Sequence, residues 1–499
     1  YRVTNIKCDP YVNIDPGTMN PYQHGEVFVT EDGAETDLDL GYYERFTGYK
    51  THKVNNMTTG QVYQSVITAE RNGDYLGNTV QIIPHITDEI KRRIILAVNA
   101  NKAEIGIVEI GGTVGDIESQ PYLEAIRQMS QESAGDCIFI HLTLVPYLES
   151  SLEFKTKPTQ HSVQELRRIG IQPDILILRS EKILSNDIKQ KIASFCNVKP
   201  ECVISNYNMS NLYELPVHFK KRNLHKIVLD KFNFKIKTDM FNRWEKMVDK
   251  IKTITTEINI LIAGKYVKLP DAYKSLISAV QDAGFYNNVK VNIKWIESEN
   301  FIDESFVVKN FENIDGVIVP GGFGIRGIKG KLNVIKYARE HNIPFLGICL
   351  GMQCAVIEFA RNVLKMKNAN STEFDNKTKY PVVHILPDQD LSKLGGTLRL
   401  GNWDCIISEK SFVSKIYHKK IITERHRHRY EVNLKYKSQF EKNGLKFSGT
   451  SKIGNLPEII ELKNHIFFVG VQFHPEYNSN PVSPNPVFNS FIKSIIKQK

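Results

Sequence analysis

Short apolar runs alternate with amphipathic stretches of helical spacing along almost the whole chain, and this alternation most constrains the fold. In the first half the apolar runs are 104–110, 137–145, 174–180 and 202–207. Strands separated by helical stretches of about 10–15 residues favour a parallel, doubly wound sheet. The alternation restarts at 257–264 (EINILIAG) and continues to a last helical pattern near the C-terminus. The sequence therefore predicts two α/β domains.

A Lys-rich segment separates the two halves. Residues 218–252 carry 11 Lys and Arg against 4 Asp and Glu, in a chain whose formal net charge is +10. Such a segment is either a solvated stretch near a domain boundary or a surface that attracts phosphate-rich ligands or nucleic acid. Adopting the first interpretation, we predict a first domain over 1–215, a basic linker over 216–255 and a second domain over 256–499.

Composition narrows the class of protein. With 41% hydrophobic and 24% charged residues, the chain is unlike collagen-like, disordered or coiled-coil proteins. The mean hydropathy is −0.29, and no apolar run approaches the roughly 18 residues of a membrane helix, which predicts a soluble protein. The seven cysteines are scattered without zinc-like spacing. This pattern indicates a reducing compartment, the cytoplasm, and metal binding through oxygen.

The segment 343–360 (IPFLGICLGMQCAVIEFA) has the pattern of a nucleophile elbow. Gly347 and Gly351 flank Cys349, and flanking glycines allow the strained strand-to-helix turn that such a nucleophile requires. The helix that begins after Cys349 would lower the pKa of its thiol. The alternative interpretation is a small buried cysteine with no chemical role.

A base and its orienting carboxylate are expected in VQFHPE, which contains His474 and Glu476. Because the two residues are two apart at the end of an apolar run, they would share one face of a strand. Glu476 would then orient His474 for proton transfer with Cys349. The backbone amides of the PGGFG segment (320–324) and of Leu350 could form an oxyanion hole.

In this order, PGGFG, GICLGMQ and FHPE resemble the class I glutamine amidotransferases, which hydrolyse glutamine to release ammonia. The resemblance implies catalytic roles for Cys349, His474 and Glu476. A guanidinium and a carboxylate facing the α-groups of glutamine make chemical sense. The implied glutamine-binding residues are Gly322, Leu350, Gly351, Met352, Gln353, Glu373 and Arg429.

Carboxylates and lysines occupy the loops of the first half. Asp37 and Asp39 are two apart in DLDLG, and Glu109 ends a predicted strand, where open α/β sheets bind their ligands. Carboxylates suit Mg²⁺, and Lys155 and Lys157 suit triphosphate oxygens. Taken singly, each feature also fits an ordinary solvated loop.

The strings at 7–11 (KCDPY), 108–119 (VEIGGTVGDIES) and 155–162 (KTKPTQHS), together with the glutaminase motifs, resemble the CTP synthase family over almost the whole chain. The resemblance implies a P-loop-type, dethiobiotin-synthetase-like parallel-sheet domain followed by a class I glutamine amidotransferase domain. It implies ATP-dependent amination of UTP to CTP, the last step of de novo CTP synthesis, with ammonia channelled from the second domain to the first. It further implies Mg²⁺, ATP as co-substrate, GTP as allosteric activator and CTP as feedback inhibitor.

The same resemblance assigns residues outside the glutaminase site. It implies Asp39 and Glu109 as Mg²⁺ ligands, Lys7 and Asp39 as ATP contacts, His24 at the ammonia channel, and Arg399 in GTP activation. The residues implied for the shared UTP and CTP site are Asp116, Ile117, Glu118, Lys155, Thr156, Lys157, Pro158, Thr159, Gln160 and Lys191.

The resemblance also implies a homotetramer, leaves filament assembly open, and implies neither a nucleic-acid nor a membrane partner. The family's phosphate loop, GxxxxGK[ST], has no match in the chain, so we expect it to precede Tyr1. Two alternatives remain at this point. One is another ligase fed by the same glutaminase, such as GMP synthetase or carbamoyl-phosphate synthetase, and the other is a non-enzymatic nucleotide-binding scaffold or filament subunit.

Overall fold

Internal contacts divide the protein into two units, each made from two pieces of the chain. The first unit contains Tyr1–Ile14 and Val54–Lys252, and the second contains Asp15–Lys53 and Thr253–Lys499. The computed structural model describes residues 1–236, 241–267, 269–386 and 398–499. Residues 237–240 of the predicted linker and residues 387–397 lie outside the described residues.

The first unit is built on two three-stranded parallel sheets, which confirms the predicted α/β fold with parallel strands. In spatial order, the first sheet contains Asn56–Thr58, Val3–Asp9 and Ile105–Ile110. The second contains Val203–Tyr207, Ile175–Ser180 and Ile140–Leu144. A short antiparallel hairpin pairs Tyr147–Leu148 with Glu153–Phe154. The predicted apolar runs thus form the strands, with bounds that differ from the prediction by a few residues.

Helices of the first unit connect and flank these strands. The predicted linker itself contains three of them, within the described residues. The helices are Thr59–Arg71, Thr87–Ala100, Gln120–Glu132, Lys157–Arg168, Asn186–Cys196, Glu214–Lys221, Leu224–Lys231 and Asn242–Lys252. The last helix shows why the basic segment folds: it buries Val248 while its charged residues face outward.

The second unit contains a nine-stranded mixed sheet. Its parallel half follows the predicted alternation, whereas its antiparallel half was not predicted. In spatial order the strands are Lys290–Glu297, Glu257–Gly264, Gly316–Val319, Phe345–Ile348, Phe468–Val471, Pro457–Leu462, Leu445–Ser451, Arg399–Ile407 and Ile421–His428. The first five strands pair in parallel and the later pairs are antiparallel.

Two apolar clusters fill the space between this sheet and its helices. A smaller sheet contains Ala369–Ser371, Tyr380–Ile385 and Tyr430–Val432. The helices are Lys274–Tyr286, Glu304–Phe311, Ile328–Glu340, Leu350–Asn362, Phe412–Tyr417, Lys437–Lys442 and Pro486–Gln498. Within the part of the chain that the structure describes, no helix is long and apolar enough to cross a membrane.

Residues 15–53 pack with the second unit, although the sequence analysis placed them in the first domain. Their elements are Pro21–His24, Phe28–Val29, Glu35–Thr36 and Asp39–Thr47. An ion pair holds them: Nη2 of Arg425, which is fully buried, lies 2.7 Å from Oε2 of Glu44. The Arg425 guanidinium also donates to the carbonyl of Val29 at 2.9 Å. Nothing in the alternation of strands and helices could indicate this docking, because it depends on contacts between residues far apart in the chain.

The Arg425–Glu44 pair should dominate the stability of this packing. Glu44→Gln leaves a buried guanidinium without its counter-charge, and breaking a buried pair on one side costs about 3–5 kcal/mol. We expect a matching loss in the free energy of unfolding, measured by urea titration. The control is Glu409→Gln, which removes an ion pair with Lys420 in which both side chains are more than two-thirds exposed. Equal losses in the two variants would contradict the prediction.

Candidate active site

Cys349 lies at a strained turn between a strand and a helix. It follows the Phe345–Ile348 strand, caps the Leu350–Asn362 helix, and has φ 51° and ψ −105°. A non-glycine residue with this backbone is uncommon and marks a functional turn. A Cβ on Gly351 would lie 1.9 Å from the carbonyl oxygen of Val319, so only glycine fits there. The predicted elbow geometry is present.

His474 and Glu476 meet, but not in the way that the sequence predicted. The strand ends at Val471, and both residues lie at a 3₁₀ turn over Pro475–Asn478. The prediction of a shared strand face was therefore wrong. The turn nevertheless places Nδ1 of His474 2.7 Å from Oε1 of Glu476. This contact orients the other ring nitrogen, Nε2, for proton transfer.

The electrostatics of His474 favour its charged form. Burial of the imidazole lowers its pKa, but the charges of Glu476 and Cys349 and hydrogen bonds to both outweigh burial and raise the pKa to about 10. A Cβ on Gly321 would lie 2.9 Å from Cε1 of the ring and 3.6 Å from the Cβ of Cys349. The PGGFG loop thus lies directly against both residues. An imidazolium beside a thiolate is the arrangement of an activated cysteine nucleophile.

Two buried lysines, which the sequence analysis missed, donate hydrogen bonds to backbone carbonyls of the PGGFG loop. Nζ of Lys331 donates to the carbonyl of Pro320 at 3.1 Å, and Nζ of Lys265 donates to the carbonyl of Phe323 at 2.6 Å. Burial lowers the pKa of Lys331 to about 7 and that of Lys265 to about 8. A lysine on the otherwise apolar face of a helix was the available signal for Lys331. With its carbonyls engaged, the loop can present amides toward the nucleophile.

The residues implied for glutamine binding come together around this loop. Leu350, Gly351, Met352 and Gln353 form the buried first turn of the helix after the nucleophile. Nε2 of Gln353 donates to the carbonyl of Tyr430 at 2.9 Å, which fixes the end of that turn.

Glu373 contacts the same loop, and Arg429 acts on Glu373 through its charge. Oε1 of Glu373 accepts from the amide of Gly324 at 2.6 Å. Burial raises the pKa of Glu373, while the charges of Lys265 and Arg429 oppose this shift. The Glu373 carboxylate therefore contacts the PGGFG loop, and the charge of Arg429 acts on it.

Gln472 is a further side chain that the sequence analysis missed. Its Nε2 lies 3.7 Å from Sγ of Cys349 and its Oε1 accepts from Gln353 at 3.3 Å. Its position in the motif, two residues before His474, was the only signal. The amide donates to sulfur and so stabilises a thiolate.

Arg399 lies in a buried cluster of charges. Its Nη1 is 2.7 Å from Oε1 of Glu458 and 3.1 Å from Oε1 of Glu431. Burial raises the pKa of Glu431 to about 8 and that of Glu458 to about 7, against the influence of Arg399. The guanidinium is thus engaged inside the unit, and a role in GTP activation stays a prediction.

In the first unit, the predicted ligand site lies at the carboxyl ends of adjacent strands. Nζ of Lys7 is 2.9 Å from Oε1 of Glu109, and 46% of the Glu109 side chain is exposed. Asp39 belongs to the second unit, where it begins the Asp39–Thr47 helix and its amide donates to Asp37. Asp37 and Asp39 therefore lie at the start of a helix. In the described residues, no group of three or more His, Cys, Asp and Glu side chains is arranged to hold a metal ion.

The implied triphosphate residues gather at the start of the Lys157–Arg168 helix. Lys155 pairs with Glu153, and Lys191 lies close enough to lower the pKa of that carboxylate as well. Pro158 lies in the first turn, Oγ1 of Thr159 donates to the carbonyl of Leu144 at 3.0 Å, and Nε2 of Gln160 donates to Oγ1 of Thr156 at 3.2 Å. Asp116, Ile117 and Glu118 lie in an exposed 3₁₀ turn.

His24 ends a four-residue helix in the second unit. Its side chain is buried, and its Nε2 lies 3.7 Å from Oδ2 of Asp37.

Comparisons with known proteins cover nearly the whole chain. Residues 1–234 match the family model "CTP synthase N-terminus" and residues 268–494 match "Glutamine amidotransferase class-I". A CTP synthase of Hydrogenobaculum sp. is 54% identical over 494 residues, which is 99% of this chain and 91% of the relative. The CTP synthase of Bacillus subtilis is 51% identical over 498 residues, 99% of this chain and 93% of the relative.

A solved structure titled "Trypanosoma brucei CTPS - glutaminase domain with bound acivicin" is 37% identical to this chain. It covers 48% of this chain and 94% of its own chain, with a TM-score of 0.46.

Proposed function

The chain belongs to the CTP synthase family, and we propose how its residues carry out the family's reaction. It is a carbon–nitrogen ligase that aminates UTP to CTP with ATP, using ammonia from glutamine. The observation that carries the glutaminase half is the Cys349 elbow beside the His474–Glu476 pair. The match of residues 1–234 to the CTP synthase model contradicts a different ligase fed by the same glutaminase, and the enzymatic relatives contradict a purely structural scaffold.

Glutamine hydrolysis begins with attack of the Cys349 thiolate on the side-chain amide carbon. The charged His474, which Glu476 orients, gives its proton to the leaving nitrogen. Ammonia departs and leaves a thioester on Cys349. Water activated by the neutral His474 then releases glutamate. Backbone amides of Gly322 and Leu350 donate hydrogen bonds to the developing oxyanion.

Recognition of glutamine rests on a pair of opposite charges. Arg429 binds the α-carboxylate and Glu373 binds the α-ammonium. The hydrogen bond of Glu373 to the PGGFG loop supports its position at the substrate. Leu350, Gly351, Met352 and Gln353 line the substrate beside the nucleophile.

The synthetase half phosphorylates O4 of UTP with ATP, and ammonia then displaces the phosphate. We assign residues 155–160 and Lys191 to the triphosphate of UTP and of the feedback inhibitor CTP. We assign residues 116–118 to the pyrimidine of the product CTP. Their support is the clustering of Lys155 and Lys191 around Glu153 at a helix N-terminus. We propose that ammonia moves past His24, which lies in the second unit, where glutamine is hydrolysed.

Glu109 suits Mg²⁺, and Lys7 beside it suits ATP phosphates. The role of Asp39 in Mg²⁺ and ATP binding stays a prediction. Mg²⁺ in nucleotide sites takes one or two carboxylates and completes its shell with phosphates and water, which fits the half-exposed Glu109. When bound, the metal supplies charge neutralisation for the phosphates. GTP activation near Arg399, a homotetramer, filament assembly and a cytoplasmic location remain predictions.

Isotope transfer tests the assignment as a whole. The protein is incubated with glutamine labelled with ¹⁵N at the side-chain amide, UTP, ATP and Mg²⁺, and nucleotides are analysed by mass spectrometry. We expect ¹⁵N in the 4-amino group of CTP and ADP in equal amount. Release of labelled ammonia without label in CTP, in the presence of all substrates, would contradict the synthetase assignment and leave the glutaminase assignment standing.

A further inference from the structure

One strand contacts both catalytic residues through its backbone. The Ile421–His428 strand places the carbonyl of Arg427 3.8 Å from Sγ of Cys349. The carbonyl of Arg425 accepts the amide of His474 at 2.8 Å. Any shift of this strand therefore changes the distance between the nucleophile and its base.

The side chain of Arg427 connects this strand to two other parts of the unit. Its Nε donates to Oε1 of Glu35 at 2.8 Å, and its Nη2 donates to the carbonyl of Gly17 at 3.2 Å. The guanidinium also lies over the ring of Phe323, 5.1 Å from its centroid. Phe323 belongs to the PGGFG loop, whose amides face the reacting carbonyl. One residue thus contacts the segment 15–53, the oxyanion loop and the nucleophile.

The opposite face of the strand is held rigidly. Nδ1 of His426 lies 2.8 Å from Nε2 of His428, and Nε2 of His426 lies 3.2 Å from Oε2 of Glu458. Both imidazoles are fully enclosed, and burial lowers their pKa well below the ordinary value. The arginine face of the strand, through Arg425 and Arg427, is joined to residues 15–53.

We propose that Arg427 is a positioning residue that couples Glu35, in the segment 15–53, to the Cys349–His474 geometry and the PGGFG loop. The proposal rests on the proposed glutaminase function. Loss of the Glu35 carboxylate leaves a largely buried guanidinium unpaired. Because a misplacement of about 1 Å at a reacting centre can cost about 10²-fold in rate, the Arg427–Glu35 contact sets the rate of ammonia release.

The test uses the full chain with Arg427→Met, Arg427→Lys and Glu35→Gln. Two quantities are measured: kcat and KM for glutamine hydrolysis, and the pH dependence of Cys349 alkylation by iodoacetamide. We expect kcat to fall at least about tenfold in Arg427→Met and Glu35→Gln with KM nearly unchanged, and the alkylation profile to shift toward that of an isolated thiol. Arg427→Lys should recover part of the loss. The double variant Glu35→Gln/Arg427→Met should be no slower than Arg427→Met alone, since the two residues act as one unit.

A matched control separates positioning from stability. Arg339→Met breaks a buried bidentate pair with Glu358 elsewhere in the same unit, and we expect it to lower stability without changing kcat or the alkylation profile. Wild-type kinetics and profile in both Arg427→Met and Glu35→Gln, or changes equal to those of Arg339→Met, overturn the proposal. A wild-type protein that does not hydrolyse glutamine would overturn the proposed function instead, while the alkylation profile would still decide the positioning role.

Discussion

Cys349→Ala abolishes glutamine hydrolysis, and we expect kcat to fall by at least about 10⁴-fold, because the covalent route is lost and only binding and the oxyanion hole remain. Synthesis of CTP from added ammonia should persist, since the thiol takes part only in releasing ammonia. Glutamate formation from glutamine and CTP formation from ammonium chloride are the two measurements.

The control for this variant lies on the same helix. Cys354 is fully buried, and burial raises the pKa of its thiol to about 11, so it is an unreactive thiol at neutral pH. Cys354→Ala should therefore keep kcat close to the wild-type value. Glutamine hydrolysis that survives Cys349→Ala, or that is lost equally in Cys354→Ala, would show that the nucleophile is wrongly assigned.

Glu476→Gln has the second-largest expected effect on activity. The amide cannot stabilise an imidazolium and favours the wrong ring tautomer, and replacing the carboxylate of a catalytic triad by an amide has cost about 10⁴-fold. We expect kcat to fall by about 10²- to 10⁴-fold on that basis, with KM changed little. Initial rates of glutamine hydrolysis over a range of substrate concentrations give both constants.

The same variant has a distinct pH signature. The pKa of His474 is raised to about 10 in the folded protein, above the value of about 6.5 expected when unfolded. The interaction with Glu476 therefore stabilises the fold fully below about pH 6.5, and this stability is lost as the pH rises toward the folded-state value. We expect the stability difference between wild type and Glu476→Gln, measured by urea unfolding, to shrink from pH 6 to pH 10. A difference that grows with pH would contradict the assignment of charge to His474.

The sequence predicted the parts of the fold that repeat and missed those that depend on single contacts. The strands at 105–110, 175–180 and 257–264 follow from apolar runs of the right length, and the elbow at Cys349 follows from glycines that only a tight turn requires. The turn that joins His474 to Glu476 was not predicted. The strand ends at Val471, and a 3₁₀ turn that begins at Pro475 brings the two side chains together. The antiparallel strands were missed because their alternation is short and interrupted by charged residues such as those of 421–428.

Sequence patterns could not identify residues that act through neighbours in the folded protein. Lys265 and Lys331 are recognised from their contacts with the PGGFG loop, and Gln472 from its contact with Cys349. Arg425 and Arg427 looked like part of a basic run, although each pairs with a carboxylate almost 400 residues earlier in the chain. The family resemblance supplied the roles of the glutamine-binding residues, but it gave no reason to place 15–53 beside the glutaminase sheet.

That placement limits how the protein can be divided into fragments. A fragment cut between the two family matches, near residue 253, keeps the glutaminase sheet but loses Glu35 and Glu44. Arg425, which has no exposed surface in the whole chain, would then face solvent together with the apolar surface that covers Phe28. Such a fragment would expose charged and apolar side chains that are buried in the full chain. Its solubility and its rate of glutamine hydrolysis would therefore not represent those of the full enzyme.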